Sequence, residues 1–181
     1  MIDDLFDHAF ITSLEEIILD SVPVHTTNVA NSNSHPKGRN GGTHRFFGTD
    51  IFSRSSINRV DFLHPKANHF FDVFDVIESE FNSPLKLFRI DLNLQFYGQD
   101  GSPHIDEGEY TIMLMNNSEW KPEWGGQFQL MSDDQTTVLE EWDYVSGRVL
   151  MFPSNVPHRG LAPLVKNVYR YSTVFRVTID D

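Results

Sequence analysis

Three residues have the types and spacing to hold a metal ion: His104 and Asp106, in the run PHID, and His158, in SNVPHRG. In an extended segment, side chains at i and i+2 point to one face, so His104 and Asp106 can aim at a common point. His158 follows the apolar run GRVLMFP, where a strand returning from a distance can end beside the first. Two imidazoles and a carboxylate on one face of an ion leave three positions open, a donor set that suits non-haem Fe(II) working on oxygen. By itself an H-x-D pair is common and reads equally as a surface turn with an unrelated histidine downstream. His8, His25, His35, His44, His64 and His69 show no comparable spacing.

Twelve residues after His158 comes Arg170, followed by Ser172, in VYRYSTVFRV. Strand alternation puts Arg170 and Ser172 on one face and Tyr169, Tyr171 and Phe175 on the other. An arginine turned into an apolar interior is costly unless an anion meets it. A guanidinium forks onto a carboxylate, and a serine hydroxyl can donate to the same oxygens. Taken singly, Arg170 reads as a structural cation paired with one of the 26 acidic residues. The order H-x-D, then His, then R-x-S favours an anion site. Arg176 shares the parity of Arg170 but lies about 20 Å further along an extended strand, at ~3.3 Å per residue. One carboxylate cannot be reached by both.

The elements that must position these residues follow from the pattern. Ser13-Leu-Glu-Glu16 reads as a capping box that opens a short helix to about Ser21. From Val22 to Gly48 the chain is rich in Asn, Ser, Thr, Gly and His and reads as a loop of the kind that covers binding sites. Pro65–Phe81 is the clearest helix, with Ala67, Phe70, Phe71, Phe74, Ile77 and Phe81 along one stripe. After Pro84 the texture changes to strands: Leu85–Tyr97, Tyr110–Met115, Gln127–Met131, Val149–Pro153 and Val168–Ile179. Helices followed by many short strands predict a mostly β fold, a jelly roll buttressed by N-terminal helices. The expected organisation is one domain over 1–181, with helical and loop support in 1–84 and the β core in 85–178.

Composition narrows the function. The chain has 181 residues, 39% of them hydrophobic, with 15 Phe, enough for one core without disulfide staples. With no Cys there is no thiolate metal site and no thiol catalysis. The acidic opening MIDDLFDHAF lacks the basic start of a signal peptide, and no apolar run reaches membrane-span length, so a cytoplasmic protein without a membrane partner is expected. The net charge of −12 counts against a nucleic-acid partner. The charge is uneven, however. From His35 to Lys66 six basic residues (Lys37, Arg39, Arg45, Arg54, Arg59 and Lys66) face only Asp50 and Asp61.

With PHID, the following YTIMLMNN, then WGGQFQL, GRVLMFPSNVPHRG and RYSTVF in this order, residues 85–178 resemble the 2-oxoglutarate/Fe(II)-dependent dioxygenases, especially their prolyl 4-hydroxylase-like branch. The resemblance implies a double-stranded β-helix core and His104, Asp106 and His158 as iron ligands. It implies Arg170, helped by Ser172, as the clamp on the distal carboxylate of 2-oxoglutarate. It implies a reaction that couples decarboxylation of 2-oxoglutarate by O2, giving succinate and CO2, to hydroxylation of a C–H bond, with ascorbate as a reductant. The branch often carries a Tyr nine residues before the first ligand His. That position is Gln95 here, on a strand that also offers Asn93 and Tyr97, so Gln95 and Tyr97 become candidates for the 2-oxoglutarate site. A mobile basic loop covers the substrate in that branch, which marks Lys37, Arg39 and Arg45 as substrate candidates. Tyr110 and Trp142, with Trp120 and Trp124, are aromatic candidates for the mouth.

The substrate class implied is a peptide or protein, peptidyl proline first, with a small molecule as the alternative. Two rivals remain. Arg170 and Arg176 form R-x5-R, a pattern that resembles the nucleic-acid alkylation-repair dioxygenases, against which the net charge stands. A non-catalytic, metal-binding cupin-like module would share the fold but has no need of the Arg170-x-Ser172 clamp.

Overall fold

The computed structural model describes residues 1–27, 46–54, 59–81 and 84–179. Two helices and ten strands are present there, in the order α1 (His8–Ser21), β1 (His25–Thr27), β2 (Phe46–Arg54), β3 (Val60–Leu63), α2 (Ala67–Ser79), β4 (Leu85–Phe96), β5 (Tyr110–Met115), β6 (Phe128–Met131), β7 (Val138–Trp142), β8 (Val149–Pro153), β9 (His158–Gly160) and β10 (Tyr169–Ile179). The major sheet runs β1-β2-β4-β10-β5-β8 with β3 beside β2, and the minor sheet runs β7-β6-β9. All pairings are antiparallel. The fold is mostly β with a jelly-roll core, as the sequence predicts.

Alternation divides the major sheet into two faces. Ile90, Leu92 and Leu94 of β4, Ile112 and Leu114 of β5 and Phe175 and Val177 of β10 pack with Ile11, Leu14 and Ile18 of α1 and Phe70, Val73, Phe74 and Ile77 of α2. Burying side chains of this size contributes about 1.5–3 kcal/mol each before entropy is counted, and this is the larger core. The opposite parity of the same strands supplies Met113, Leu150, Phe152 and Val174, which meet Phe128 and Leu130 of the minor sheet in a second cluster. The open part of that inter-sheet space is the cleft described below.

Three expectations need correction. The cap of helix α1 lies six residues before Ser13: the Asp7 carboxylate accepts from the Phe10 N–H at 2.7 Å, leaving Ser13 in the helix interior. The first 84 residues are more than helical and loop support, because β2 pairs with β4 and brings β1 and β3 into the major sheet. His104 and Asp106 do not lie in a strand; His104 forms an isolated bridge to His158. Of the long loop expected over Val22–Gly48, positions 28–45 lie outside the described residues. Among the described residues no helix is long and apolar enough to cross a membrane.

Candidate active site

The cleft between the sheets encloses about 820 Å3, part of it open to solvent, and is lined by His104, Asp106, His158, Arg170, Ser172 and Arg176 among others. His104 and His158 are brought together by reciprocal backbone hydrogen bonds, His104 N–H to the His158 carbonyl at 3.0 Å and the reverse at 2.8 Å. Asp106 is placed by its own N–H, which donates to the Ser154 carbonyl at 2.9 Å. Asp106 Oδ2 lies 3.3 Å from His158 Nε2 and Oδ1 lies 3.9 Å from His104 Nε2. One donor atom from each residue falls within 4.8 Å of the others, so the three converge on one point where a small inward movement would bring each to about 2 Å from a single ion.

The surroundings prepare these donors. Each ring bonds the carbonyl two residues before it: His104 Nδ1 to Ser102 and His158 Nδ1 to Val156, both at 2.9 Å. With Nδ1 so engaged, each ring turns its Nε2 toward Asp106. Burial, helped by the nearby His158, holds the His104 imidazole down to about 3, so it is unprotonated and able to ligate at neutral pH. Burial alone would raise the Asp106 carboxyl, but the Arg176 guanidinium, followed by His158, outweighs it and holds the group well below the usual carboxylate range. Thr111 Oγ1 donates to Asp106 Oδ2 at 3.0 Å and meets Ser154 Oγ at 2.9 Å.

Arg170 is at the other end of the cleft and is 2% exposed. Its Nε donates to the Gly126 carbonyl and its Nη1 to Gln95 Oε1, both at 2.9 Å, with Ser172 Oγ at 3.5 Å. The Tyr144 ring lies under the guanidinium at 4.8 Å. Burial pulls the Arg170 guanidinium down to about 10, which still leaves it charged. Its Nη2 is buried and finds no hydrogen-bond partner among the described residues. A charged donor in that condition is costly, and an anionic oxygen would relieve it. The donor set at one end and this orphaned cation at the other fit a metal and a dicarboxylate.

Gln95 reaches the site in a different role from the one its position suggests. Both protons of Nε2 are taken, by the Gln99 and Gly160 carbonyls at 3.0 Å, and Oε1 accepts from Arg170. Gln95 therefore holds Arg170 rather than donating to a ligand. Tyr97 is not brought in: it lies beyond the end of β4, half exposed, with the Lys166 ammonium 5.9 Å above its ring. Tyr110 is also excluded, because its neighbour Thr111 faces the cleft and strand parity turns Tyr110 to the helix-side core. Trp142 stacks on Phe128 at 6.3 Å and stands behind the lining, while Trp120 packs on Tyr144 and Trp124. Lys37, Arg39 and Arg45 lie outside the described residues.

Arg89, Asp91 and Asp50 line the cleft and escaped the sequence reading. For Arg89 and Asp91 the signal was present in β4, where RIDLNLQF alternates polar Arg89, Asp91, Asn93 and Gln95 with apolar Ile90, Leu92, Leu94 and Phe96. Such a strand reads as polar face to water. Here the polar face forms the floor of the cleft.

Residues 92–175, which contain His104, Asp106, His158 and Arg170, match the family model described as the 2OG-Fe(II) oxygenase superfamily. This segment is a 2OG-Fe(II) oxygenase superfamily domain, and the chain is a dioxygenase. No curated protein matches the oxygenase. Solved structures share its fold at low identity. An oxidoreductase of the 2OG-Fe(II) oxygenase family from Burkholderia pseudomallei is 13% identical with a TM-score of 0.69, covering 96% of this chain and 80% of its own. A prolyl-4-hydroxylase from Pseudomonas putida is 15% identical with a TM-score of 0.60, covering 97% and 89%. HygX from Streptomyces hygroscopicus, solved with nickel and 2-oxoglutarate bound, is 10% identical with a TM-score of 0.58, covering 96% and 80%.

Proposed function

We propose that the oxygenase holds Fe(II) on His104, Asp106 and His158, holds 2-oxoglutarate between that ion and Arg170, and hydroxylates a C–H bond of peptidyl proline. The observation that carries the cofactor reading is the buried Arg170 Nη2 without an acceptor, at the far end of the cleft from the three metal donors. When bound, the iron and 2-oxoglutarate supply the oxidising power of O2, one oxygen atom going to succinate and the other to the substrate. Everything else falls to the chain. The two Nδ1–carbonyl bonds keep His104 and His158 Nε2 turned to one point. Gln95, Gly126 and Tyr144 keep the Arg170 guanidinium planar to the cleft, ready to fork onto a carboxylate. Met113, Phe128, Phe152 and Val174 exclude water from the space between.

Peptidyl proline is placed first on the sequence resemblance to the prolyl 4-hydroxylase-like branch; the shared fold does not choose, because a prolyl-4-hydroxylase, a viral collagen prolyl hydroxylase and two enzymes of nogalamycin biosynthesis all have it. Ascorbate enters as the reductant that keeps the iron ferrous. The test has two stages. Full-length protein with Fe(II), O2 and ascorbate should convert 2-oxoglutarate to succinate, and a proline-containing peptide set should raise that rate while one peptide gains an oxygen atom. No succinate under any condition would leave a binding module. Succinate without any peptide gaining oxygen would remove proline from the reading and leave the cofactors.

A further inference from the structure

A chain of alternating charges leads away from Asp106 through the major sheet. Arg176 Nη2 lies 3.0 Å from Asp106 Oδ1 and 3.6 Å from Asp91 Oδ2. Asp91 Oδ2 accepts from Arg89 Nε at 2.9 Å, and Arg89 Nη2 donates to Asp50 Oδ1 at 3.1 Å. Five groups on three strands and the PHID segment thus run from the metal donors to Asp50, whose side chain is 56% exposed.

The strand register shows that this order is built. Arg176 stands directly across from Arg89, and Asp50 directly across from Asp91. Like charges facing each other across a ladder are unfavourable, so the pairing works only along diagonals. A register shift follows Arg176 in β10, and another lies between Asp50 and Phe52 in β2. Irregularities of this kind re-aim side chains, and both occur beside this chain of charges. Burying such groups is expensive, and apolar residues in their place would be at least as stable. Stability alone does not account for a guanidinium whose Nη2 serves a metal-donor carboxylate while its buried Nε has no partner.

We propose that Arg176 is a positioning residue for Asp106, and that Asp91, itself held by Arg89, keeps Arg176 in that place. Arg176 on Oδ1 and Thr111 on Oδ2 each take one lone pair of the carboxylate, which fixes its plane and leaves one donor direction on each oxygen toward the imidazoles. The proposal rests on the ligand assignment above.

The test is Co(II) binding by the full chain without 2-oxoglutarate, read as a dissociation constant and as the visible bands of the bound ion. Partners that orient ligands typically contribute 10–100-fold in affinity, so Asp91→Asn, which removes no metal donor, should weaken binding about tenfold and shift the bands. Arg176→Lys should do the same, since an ammonium cannot span both carboxylates. Adding Asp91→Asn to Arg176→Lys should then change little, because the relay is already cut. Losses that multiply in the double variant would mean that Asp91 acts through space, and would overturn the proposal. So would wild-type affinity and bands in either single variant. If Asp91→Asn fails to fold, Arg176→Lys alone decides. Asp106→Ala is the control: full binding there would refute the ligand assignment, whereas loss there with no effect of Asp91→Asn would refute the relay alone.

Discussion

Arg170 and Arg176 project from the same face of β10, six residues apart, into opposite ends of one cleft. Arg170 is held by Gly126 and Gln95 with an Nη2 to spare, whereas Arg176 is engaged by Asp106 and Asp91. The separation has a chemical use. A dicarboxylate reaching from the metal donors needs a cation at its far end, and a cation near the metal has to be neutralised by carboxylates. On the proposed cofactor reading the two arginines meet these two demands and are not interchangeable.

Arg170→Lys should therefore raise the 2-oxoglutarate concentration needed for half-maximal turnover by about tenfold or more, the cost of losing a charge-assisted fork. Arg176→Lys should leave that requirement within about twofold and act on metal binding instead. Titrating 2-oxoglutarate against succinate release in both variants checks the assignment. The opposite pattern would mean that the final strand has been read in the wrong role.

Gly160 offers a way to disturb Arg170 without altering its charge. A Cβ there would sit 2.9 Å from Gln95 Oε1 and 3.1 Å from Arg170 Nη1. Gly160→Ala should push the guanidinium off its axis and raise the 2-oxoglutarate requirement several-fold, while Co(II) affinity stays as in the wild type. Equal damage to both would show that the substitution has moved β9 as a whole, including His158.

Legibility in the sequence followed strand parity closely. Tyr110–Met115 and Val149–Pro153 were read to the residue because both are bounded by turn chemistry and carry an uninterrupted apolar face. The triad and Arg170 were legible because each sits within a run that has its own texture. β2 was not, since Phe46–Arg54 mixes Gly, Thr, Asp and Ser with its aromatics and owes its place to pairing with β4. Arg89 and Asp91 were hidden for a different reason: alternation announces a polar face without saying whether that face meets water or an interior cleft. Tyr97 and Tyr110 show the converse. Tyr97 was placed by strand parity with Gln95 but lies past the strand end, and Tyr110, chosen as an aromatic, has core parity.

His104→Ala should remove metal binding and leave the fold. The packed cores on both sides of the major sheet contain none of the three donors. Circular dichroism should be unchanged, and the thermal midpoint without metal should move by no more than a few degrees. A variant that fails to fold would mean that the His104 imidazole itself is needed to close the cleft, since the backbone bridge to His158 survives the substitution, and the donor role would then have to be tested with His104→Gln.

The pH dependence of stability in metal-free protein should expose two groups that oppose each other. Burial holds His104 down to about 3 in the folded chain against 6.5 for the free group. Between those values the unfolded chain binds a proton that the folded chain does not, so stability from this group rises with pH. Burial, only partly offset by Arg176 and Arg89, raises Asp91 from 3.8 to about 6. There the folded chain keeps a proton that the unfolded chain has lost, so stability from this group falls as pH rises. The two windows overlap from roughly pH 4 to 6, and each group can contribute at most about 1.4 kcal/mol per pH unit. In the wild type the slopes nearly cancel. Asp91→Asn should leave the rising slope, and His104→Gln the falling one. Asp106, held below the usual carboxylate range, adds stability that is complete above its unfolded value of 3.8 and is lost as pH drops further. Urea midpoints measured at half-unit steps would show this directly. An Asp91→Asn curve parallel to the wild type across pH 4 to 6 would mean that Asp91 is ionised throughout, held so by Arg89 and Arg176 despite its burial.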